Sequence, residues 1–251
     1  MPTARRALIA GLGLIGGSIG MALRRNGWHV VFLDSDRGLE PGQAADERVE
    51  SLDAVSDVVI LATPVDIAVT LLASTHAPLI TSVSSVMAPL RAVGDDRFVA
   101  GHPLAGSQER GLAAARADLF TGATWFIDRD NAVVREVIAD CGANVEVVEA
   151  SEHDRAIALT SQLPQILSTV LAAYLHEQNV DLRFAGPGLR TFLRLAGSEA
   201  SVWAPVIEAN RENLRPHVEK IALLVREIVE DDPAKAFVKA NEIFAALALM
   251  I

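Results

Sequence analysis

Cysteine is almost missing from this 251-residue chain, which holds one, Cys141. A single thiol excludes an intrachain disulfide and a thiolate metal cluster, and it suits a reducing compartment. Cys141 itself reads as a small buried filler rather than a nucleophile. The six histidines are scattered, with no HExxH or HxH pattern, so no metal site is expected. No long basic block is present and the formal net charge is −10. Phosphate backbones need clustered Lys and Arg, so no nucleic-acid partner is expected, although a few local arginines suffice for an acidic metabolite. No run of eighteen apolar residues occurs, so no membrane span is expected. The apolar N-terminal stretch is broken by Gly11, Gly13, Gly16, Gly17 and Gly20, has no evident cleavage site and leads into a helix pattern, which argues against a signal peptide. Internal repeats and low-complexity tracts are also lacking. These absences point to an ordinary cytoplasmic protein.

What is present is a large apolar fraction, 51%, enough for a substantial core. Up to residue 149 short apolar runs alternate with helix-like segments. "RALIAGL", "HVVFLDSD", "SDVVILATP", "APLITSVSS", "RFVAGHP", "ATWFIDR" and "NVEVVEA" read as strands, the first followed by a helix ending at Gly27. The runs are continuous rather than alternating, as in strands covered on both faces. Strands interleaved with helices predict an α/β, Rossmann-type doubly wound, mostly parallel sheet. Beyond Ala150 the strand signal stops. "SEHDRAIALTSQLPQILSTVLAAYLHEQ" reads as one long helix bent at Pro164, "GPG" at 186–188 breaks the chain, and two further helical stretches follow. The expected division is 1–149 and 150–251, the second part all-α.

"ALIAGLGLIGGS" carries G-x-G-x-x-G at Gly11, Gly13 and Gly16. The first glycine permits the tight turn, the second lets a diphosphate approach the backbone, and the third lets helix and strand pack closely. The helix start at Leu14 and Ile15 offers free N–H groups and partial positive charge to phosphates. Asp34 lies 18 positions past Gly16, at the end of the second strand, where a carboxylate accepts hydrogen bonds from a ribose 2′-hydroxyl. This favours NAD over NADP, with Arg37 nearby as the residue that a 2′-phosphate would use; FAD is the less favoured dinucleotide. Thr63 and Pro64, at the end of the third strand, complete the candidate cofactor contacts. In "GHPLAGSQERG", His102 stands in a loop of small residues, where it is either a satisfied structural histidine or a general base.

"GLGLIGGS", "GHPLAGSQERG", "LFTGATWFI", "EHDRAIALTSQLP" and "GLRTFLRLAGSEASVWAPVIEANRENL" occur in that order. This arrangement resembles the prephenate and arogenate (cyclohexadienyl) dehydrogenase family of tyrosine biosynthesis, over nearly the whole chain. The resemblance implies an NAD-dependent oxidative decarboxylation. Hydride leaves ring C4, the ring carboxylate departs as CO₂, and 4-hydroxyphenylpyruvate or tyrosine results. It implies His102 as the base and Ser85 as the hydroxyl near the nicotinamide that bonds that histidine. It places Arg194 on the ring carboxylate, with Arg190 one helical turn earlier on the same face, and Gln165 and Ser107 among the contacts of a small dicarboxylate substrate. It also implies a homodimer formed by the helical part, whose last helix ends in the strongly apolar "FAALALMI". Trp203 reads as an interface residue, and His153 and Asp154 as a helix start with acids near the positive end of the dipole. No mutase or regulatory domain is expected.

The chain departs from the family pattern in two places. "SQLPQ" puts Gln162 and Gln165 where two histidines are usual, and "SVSSVM" puts Ser82 and Met87 where an acid and a lysine are usual. These changes question the substrate more than the reaction, leaving prephenate, arogenate and an amino analogue such as 4-amino-4-deoxyprephenate open. Neutral Gln165 tilts the reading slightly toward tolerance of arogenate. Two other readings stand beside it: a different Rossmann-plus-helical dehydrogenase using Lys220, and a non-catalytic dinucleotide-binding paralogue.

Overall fold

Strand β1 (Arg6–Ala10) is apolar from Ala7 onward because both of its faces are covered. Ala7 and Ile9 enter one buried cluster, while Leu8 and Ala10 enter another across the sheet. The alternation repeats in β2 (His29–Leu33) and β4 (Val58–Leu61), as the two-residue period of a strand requires. A computed structural model describes residues 5–106, 109–230 and 233–249.

The remaining elements of the first part are α1 (Leu14–Arg25), β3 (Glu47–Arg48), α2 (Val65–Ser74), β5 (Ile80–Ser82), α3 (Ala88–Arg91), β6 (Phe98–Val99), β7 (Gly101–Pro103), β8 (Thr124–Ile127), α4 (Ala132–Asp140) and β9 (Asn144–Val147). Six strands form one parallel sheet in the order β3-β2-β1-β4-β5-β6. Helices α1 and α4 cover one face, and α2 and α3 the other. This is the expected doubly wound sheet. Cys141 is buried beside α4, and burial pushes its thiol up to about 12, as a filler role requires.

Two strands differ from expectation. Strand β3 has only two residues, both charged, so no apolar run announces it. The expected strand "RFVAGHP" divides at Ala100. Strand β6 completes the parallel sheet, while β7 pairs antiparallel with β8, which pairs parallel with β9 in a second, three-stranded sheet. The division is made by tertiary contacts. The Ala100 N–H donates to the Asp128 carboxylate at 2.8 Å. Arg91 donates to the same carboxylate at 2.6 Å and to the Phe98 carbonyl at 2.7 Å. Gly101 then passes under the end of β5, where a Cβ would lie 2.7 Å from the Ser82 carbonyl oxygen.

The second part is helical throughout its described residues. It comprises α5 (Ala150–Ile157), α6 (Leu163–Glu177), α7 (Pro187–Phe192), α8 (Ala200–Ala209), α9 (Arg211–Glu230) and α10 (Pro233–Ala248). The bend expected at Pro164 takes the form of a π-helical turn, Ala158–Gln162, because proline has no N–H for the Thr160 carbonyl. Segment 150–177 is long and apolar enough by length and composition to cross a membrane, which inspection for unbroken apolar runs did not anticipate. Its buried residues include His153, Asp154, Gln162, Gln165 and Ser168, whose polar groups bond to neighbouring elements as the inner face of a packed helix does. Helix α10 buries none of its described residues, and α9 buries Leu214 alone. Phe244, Leu247 and Leu249 at the chain's end are exposed in the single chain.

Asp128 therefore holds the point where the chain changes sheets. Asp128→Ala is expected to lower the unfolding free energy by about 2–4 kcal/mol, since it strands a guanidinium and a backbone N–H. Urea denaturation measures this, and an unchanged midpoint would show that the junction rests on packing alone.

Candidate active site

The glycine turn has the shape its spacing predicts. Gly11 has φ +91, and a Cβ there would lie 2.6 Å from the Ala62 carbonyl oxygen. A Cβ on Gly16 would lie 2.0 Å from the Gly11 carbonyl oxygen, so α1 can sit this close only on glycine. Gly13 caps α1 and faces open space, with nothing within 4 Å of a built Cβ. Leu14 and Ile15 form the first turn of α1 and are half-buried. The Asp34 carboxylate sits at the lip of this turn, accepting from the Leu12 N–H at 2.8 Å and the Asp36 N–H at 2.9 Å. Arg48 fixes the same loop through the carbonyls of Asp34 and Asp36, while Arg37 is exposed. The Thr63 hydroxyl is shielded from solvent without a hydrogen-bond partner among the described residues, beside exposed Pro64 at the start of α2. An open cradle at Gly13, a carboxylate lip and an orphaned hydroxyl lie together at the carboxyl ends of β1, β2 and β4. That is where an open parallel sheet takes a dinucleotide, and the residues fit one.

His102 stands on β7, opposite Phe126 of β8. Its neighbour Gly101 lies within 3.3 Å of the Ser82 hydroxyl at the carboxyl end of β5. The expected partner of its ring, Ser85, is half-buried three residues beyond β5 and makes no hydrogen bond with the described residues. His153 takes that place: His102 Nδ1 and His153 Nε2 are 3.0 Å apart, with the rings at 89°. The edge of His102 stays partly exposed, yet its ring lies deep. Burial first, and the neighbouring His153 second, lower its pKa from 6.5 to about 3. His102 is therefore uncharged at neutral pH.

His153 and Asp154 are almost fully buried, at 2% and 1% exposure. His153 Nδ1 is 2.7 Å from the Asp154 carboxylate, which also accepts from the Met87 N–H at 2.9 Å and the Ala88 N–H at 2.8 Å. Glu149 caps α5 and Glu152 of "EHDR" lies in its first turn, as the helix-start reading expects. Asp154 instead accepts from the N–H groups at the start of α3 in the other half, so for Asp154 alone the helix-start reading is corrected. The donors around Asp154 require an ionised acceptor, so His153 carries its proton on Nδ1. With Nδ1 of His153 committed to Asp154, both rings are satisfied when His153 Nε2 accepts and His102 Nδ1 donates. In that arrangement the lone pair of His102 lies on Nε2, an atom with no hydrogen-bond partner among the described residues.

Arg190 in α7 and Arg194 in the following 3-10 turn are exposed and make no ion pair with described residues. Gln165 is 3% exposed and fully engaged. Its amide donates to the Thr169 hydroxyl and, at 2.9 Å, to the Leu195 carbonyl, and it accepts from Ser198. Gln165 thus clamps the turn that carries Arg194 rather than presenting a free group to a ligand. Ser168 does the same through the Phe192 carbonyl and the Ala196 N–H. Gln162, fully buried, accepts from Asn210, which also donates to the Asp154 carbonyl. Ser107 lies outside the described residues. No cluster of His, Cys, Asp or Glu suited to a metal occurs among the described residues.

Residues 19–147 match the family described as "Prephenate dehydrogenase, nucleotide-binding domain", and residues 149–240 match "Prephenate dehydrogenase, dimerization domain". The chain belongs to the prephenate dehydrogenase family. It is 34% identical over 250 residues to "Probable prephenate dehydrogenase NovF" of Streptomyces niveus, covering 90% of this chain and 68% of that protein. It is 29% identical over 267 residues to the prephenate dehydrogenase of Bacillus subtilis, covering 94% of this chain and 70% of that one. In fold it is similar to the prephenate dehydrogenase of A. aeolicus, solved in complex with hydroxyphenyl propionate and NAD⁺. There the TM-score is 0.81 at 24% identity, over 99% of this chain and 97% of that one. As an enzyme of the prephenate dehydrogenase family the chain has a nucleotide-binding part and a dimerization part. Lys220, the residue a different Rossmann-plus-helical dehydrogenase would need, lies exposed on α9.

Sequence reasoning passed over Asn210 and read His153 as part of a helix start rather than as the partner of His102. For His153 a signal existed: Ala150, His153, Asp154 and Ile157 share one face of α5 at helical spacing, and all four are buried.

The low pKa of His102 makes a stability prediction. An unfolded chain binds a proton at that ring below about 6.5, while the folded chain resists until about 3. Its neutral form therefore contributes stability above pH 6.5 that is lost as the pH falls, by about 1.4 kcal/mol per pH unit through that window. His102→Gln is expected to flatten the curve of unfolding free energy against pH between about 6 and 4 relative to wild type. Superimposable slopes would show that the ring titrates normally.

Proposed function

We propose that the chain catalyses the NAD-dependent oxidative decarboxylation of prephenate or arogenate, with His102 as general base. The observation that carries this reading is a deeply set imidazole held through Nδ1 by His153, with Nε2 unengaged by the described residues, at the carboxyl edge of the dinucleotide-type sheet. The cofactor, when bound in the glycine cradle, supplies the hydride acceptor. His102 takes the proton of the 4-hydroxyl, because carbon can release hydride only as its oxygen becomes a carbonyl. Asp34 retains lone pairs for ribose hydroxyls, which supports NAD over NADP. Gly11, Gly13, Leu14, Ile15, Gly16, Thr63 and Pro64 form the rest of that cradle, with Ser85 toward the nicotinamide end.

Arg194, with Arg190 beside it, meets the substrate carboxylates through its fork of donors. Since the ring carboxylate is lost during reaction, the work of Arg194 is to orient it rather than to hold it tightly. Gln165 gives no preference between prephenate and arogenate, because its amide is spent on Leu195, Thr169 and Ser198. We also propose that residues 1–149 bind the dinucleotide and that residues 150–251 form the substrate side and a homodimer, whose interface covers the exposed apolar side chains of α9 and α10.

Formation of NADH with prephenate and with arogenate, assayed in parallel with release of CO₂, tests the activity; silence with both in folded protein would overturn it. His102→Asn is expected to lower kcat by about 10²–10⁴-fold. Arg194→Gln is expected to raise KM by about 10–100-fold, the loss of a charged hydrogen bond, with a smaller effect on kcat. Asp34→Ala is expected to weaken NAD more than NADP in a binding titration.

A further inference from the structure

The line Asp154, His153, His102 crosses from the helical half into the sheet half through two hydrogen bonds of 2.7 and 3.0 Å. Phe126 packs edge-on against His153, with ring centres 5.5 Å apart, and closes one side of the line. His153 has no exposed edge with which to touch a substrate. Burial makes an isolated His102 a poor place to leave a positive charge. A base in that position needs a second group to share the charge as the proton arrives.

We propose that His153 and Asp154 are positioning residues that hold His102 as the Nδ1–H tautomer and take up the charge it acquires. This rests on His102 being the base. The substrate hydroxyl proton goes to His102 Nε2. The proton on His102 Nδ1 passes to His153 Nε2, so His102 becomes neutral again as the Nε2–H form. His153 becomes an imidazolium whose Nδ1–H already faces the Asp154 carboxylate. No proton leaves the chain in this step, and Asp154 stays ionised because the Met87 and Ala88 N–H groups and His153 all donate to it. The positive charge ends one ring farther from the reacting carbon, against a buried anion, which is cheaper than leaving it on His102. Loss of CO₂ sends its electron pair into the ring and leaves the former 4-hydroxyl oxygen as a phenolate, which takes the proton back from His102 Nε2 as the two transfers reverse, resetting the base. The same carboxylate caps α3, so the groups that orient the base are fixed to the loop following β5.

The variant that separates this role from mere packing is His153→Gln. Its side-chain oxygen reaches the place of Nε2 and accepts from His102 Nδ1–H, but it cannot accept a proton. Nitrogen-15 NMR of histidine-labelled, cofactor-free protein reads the tautomer without any turnover. We expect His102 with Nδ1 protonated and Nε2 bare in wild type, the same tautomer in His153→Gln, and a mixture in His153→Ala. In the dehydrogenase assay kcat of His153→Gln is expected to fall about 10²-fold with KM within a factor of three, the size of one lost acid–base contribution. Asp154→Asn is expected to fall at least as far and also to lose thermal stability, through the α3 cap. Observation of the Nε2–H tautomer of His102 in the free wild-type protein would overturn the proposal. So would wild-type kcat and pH profile in a folded His153→Gln. Should wild type turn over neither substrate, the proposed reaction fails by itself, and the NMR result still decides whether the line orients His102.

Discussion

One carboxylate joins the two halves of this protein. Asp154 lies buried on α5, yet its oxygens face the start of α3 on the other side of the boundary. A buried, unpaired carboxylate costs several kcal/mol, so its position is tolerable only while all of its donors are in place. Two backbone N–H groups at a helix start and one imidazole provide them, and the helix start adds its partial positive charge. Any separation of α5 from α3 strands the anion. The contact therefore fixes the relative placement of the helical half and the loop following β5, and His153 with it.

From that constraint the geometry of the site follows. His153 is oriented by Asp154, and His102 by His153, so an imidazole on the sheet half is aimed by a residue of the helical half. The arginines are held by an analogous device: buried Gln165 and Ser168 bond to carbonyls and an N–H of the segment 192–196, which presents Arg194. In both places a buried polar side chain spends its hydrogen bonds on positioning an outer charged or basic group. Gln165 serves as donor and acceptor, while Gln162 serves only as an acceptor for Asn210, its Nε2 being buried without a partner among the described residues, so neither position needs a charge to keep the site's frame.

Much of this was legible in the residues alone. The glycine spacing, Asp34 and the continuous apolar runs gave the parallel sheet and its carboxyl-edge crevice, since those patterns follow from local sterics and two-sided burial. The two-residue β3 and the split at Ala100 were not legible. Both depend on partners far away in sequence: β3 on pairing with β2, and the split on Arg91 and Asp128. At the site, His102 and Arg194 stood out through the motifs around them. The expected bond from Ser85 to His102 was displaced by one from His153, because a motif names which residues gather but not which pair of rings ends within hydrogen-bond reach. The free role expected for Gln165 failed for the same reason.

By itself the sequence determined the class of sheet, the glycine turn, the helical second part and the family, because these are written in short-range spacing and in the order of motifs. The tertiary structure alone decided which ring nitrogen of His102 meets His153, which carboxylate lies behind that ring, and which glutamine atoms are spent. Those outcomes depend on distances of about 3 Å between groups on different elements, and no periodicity in one dimension encodes a distance across a domain boundary.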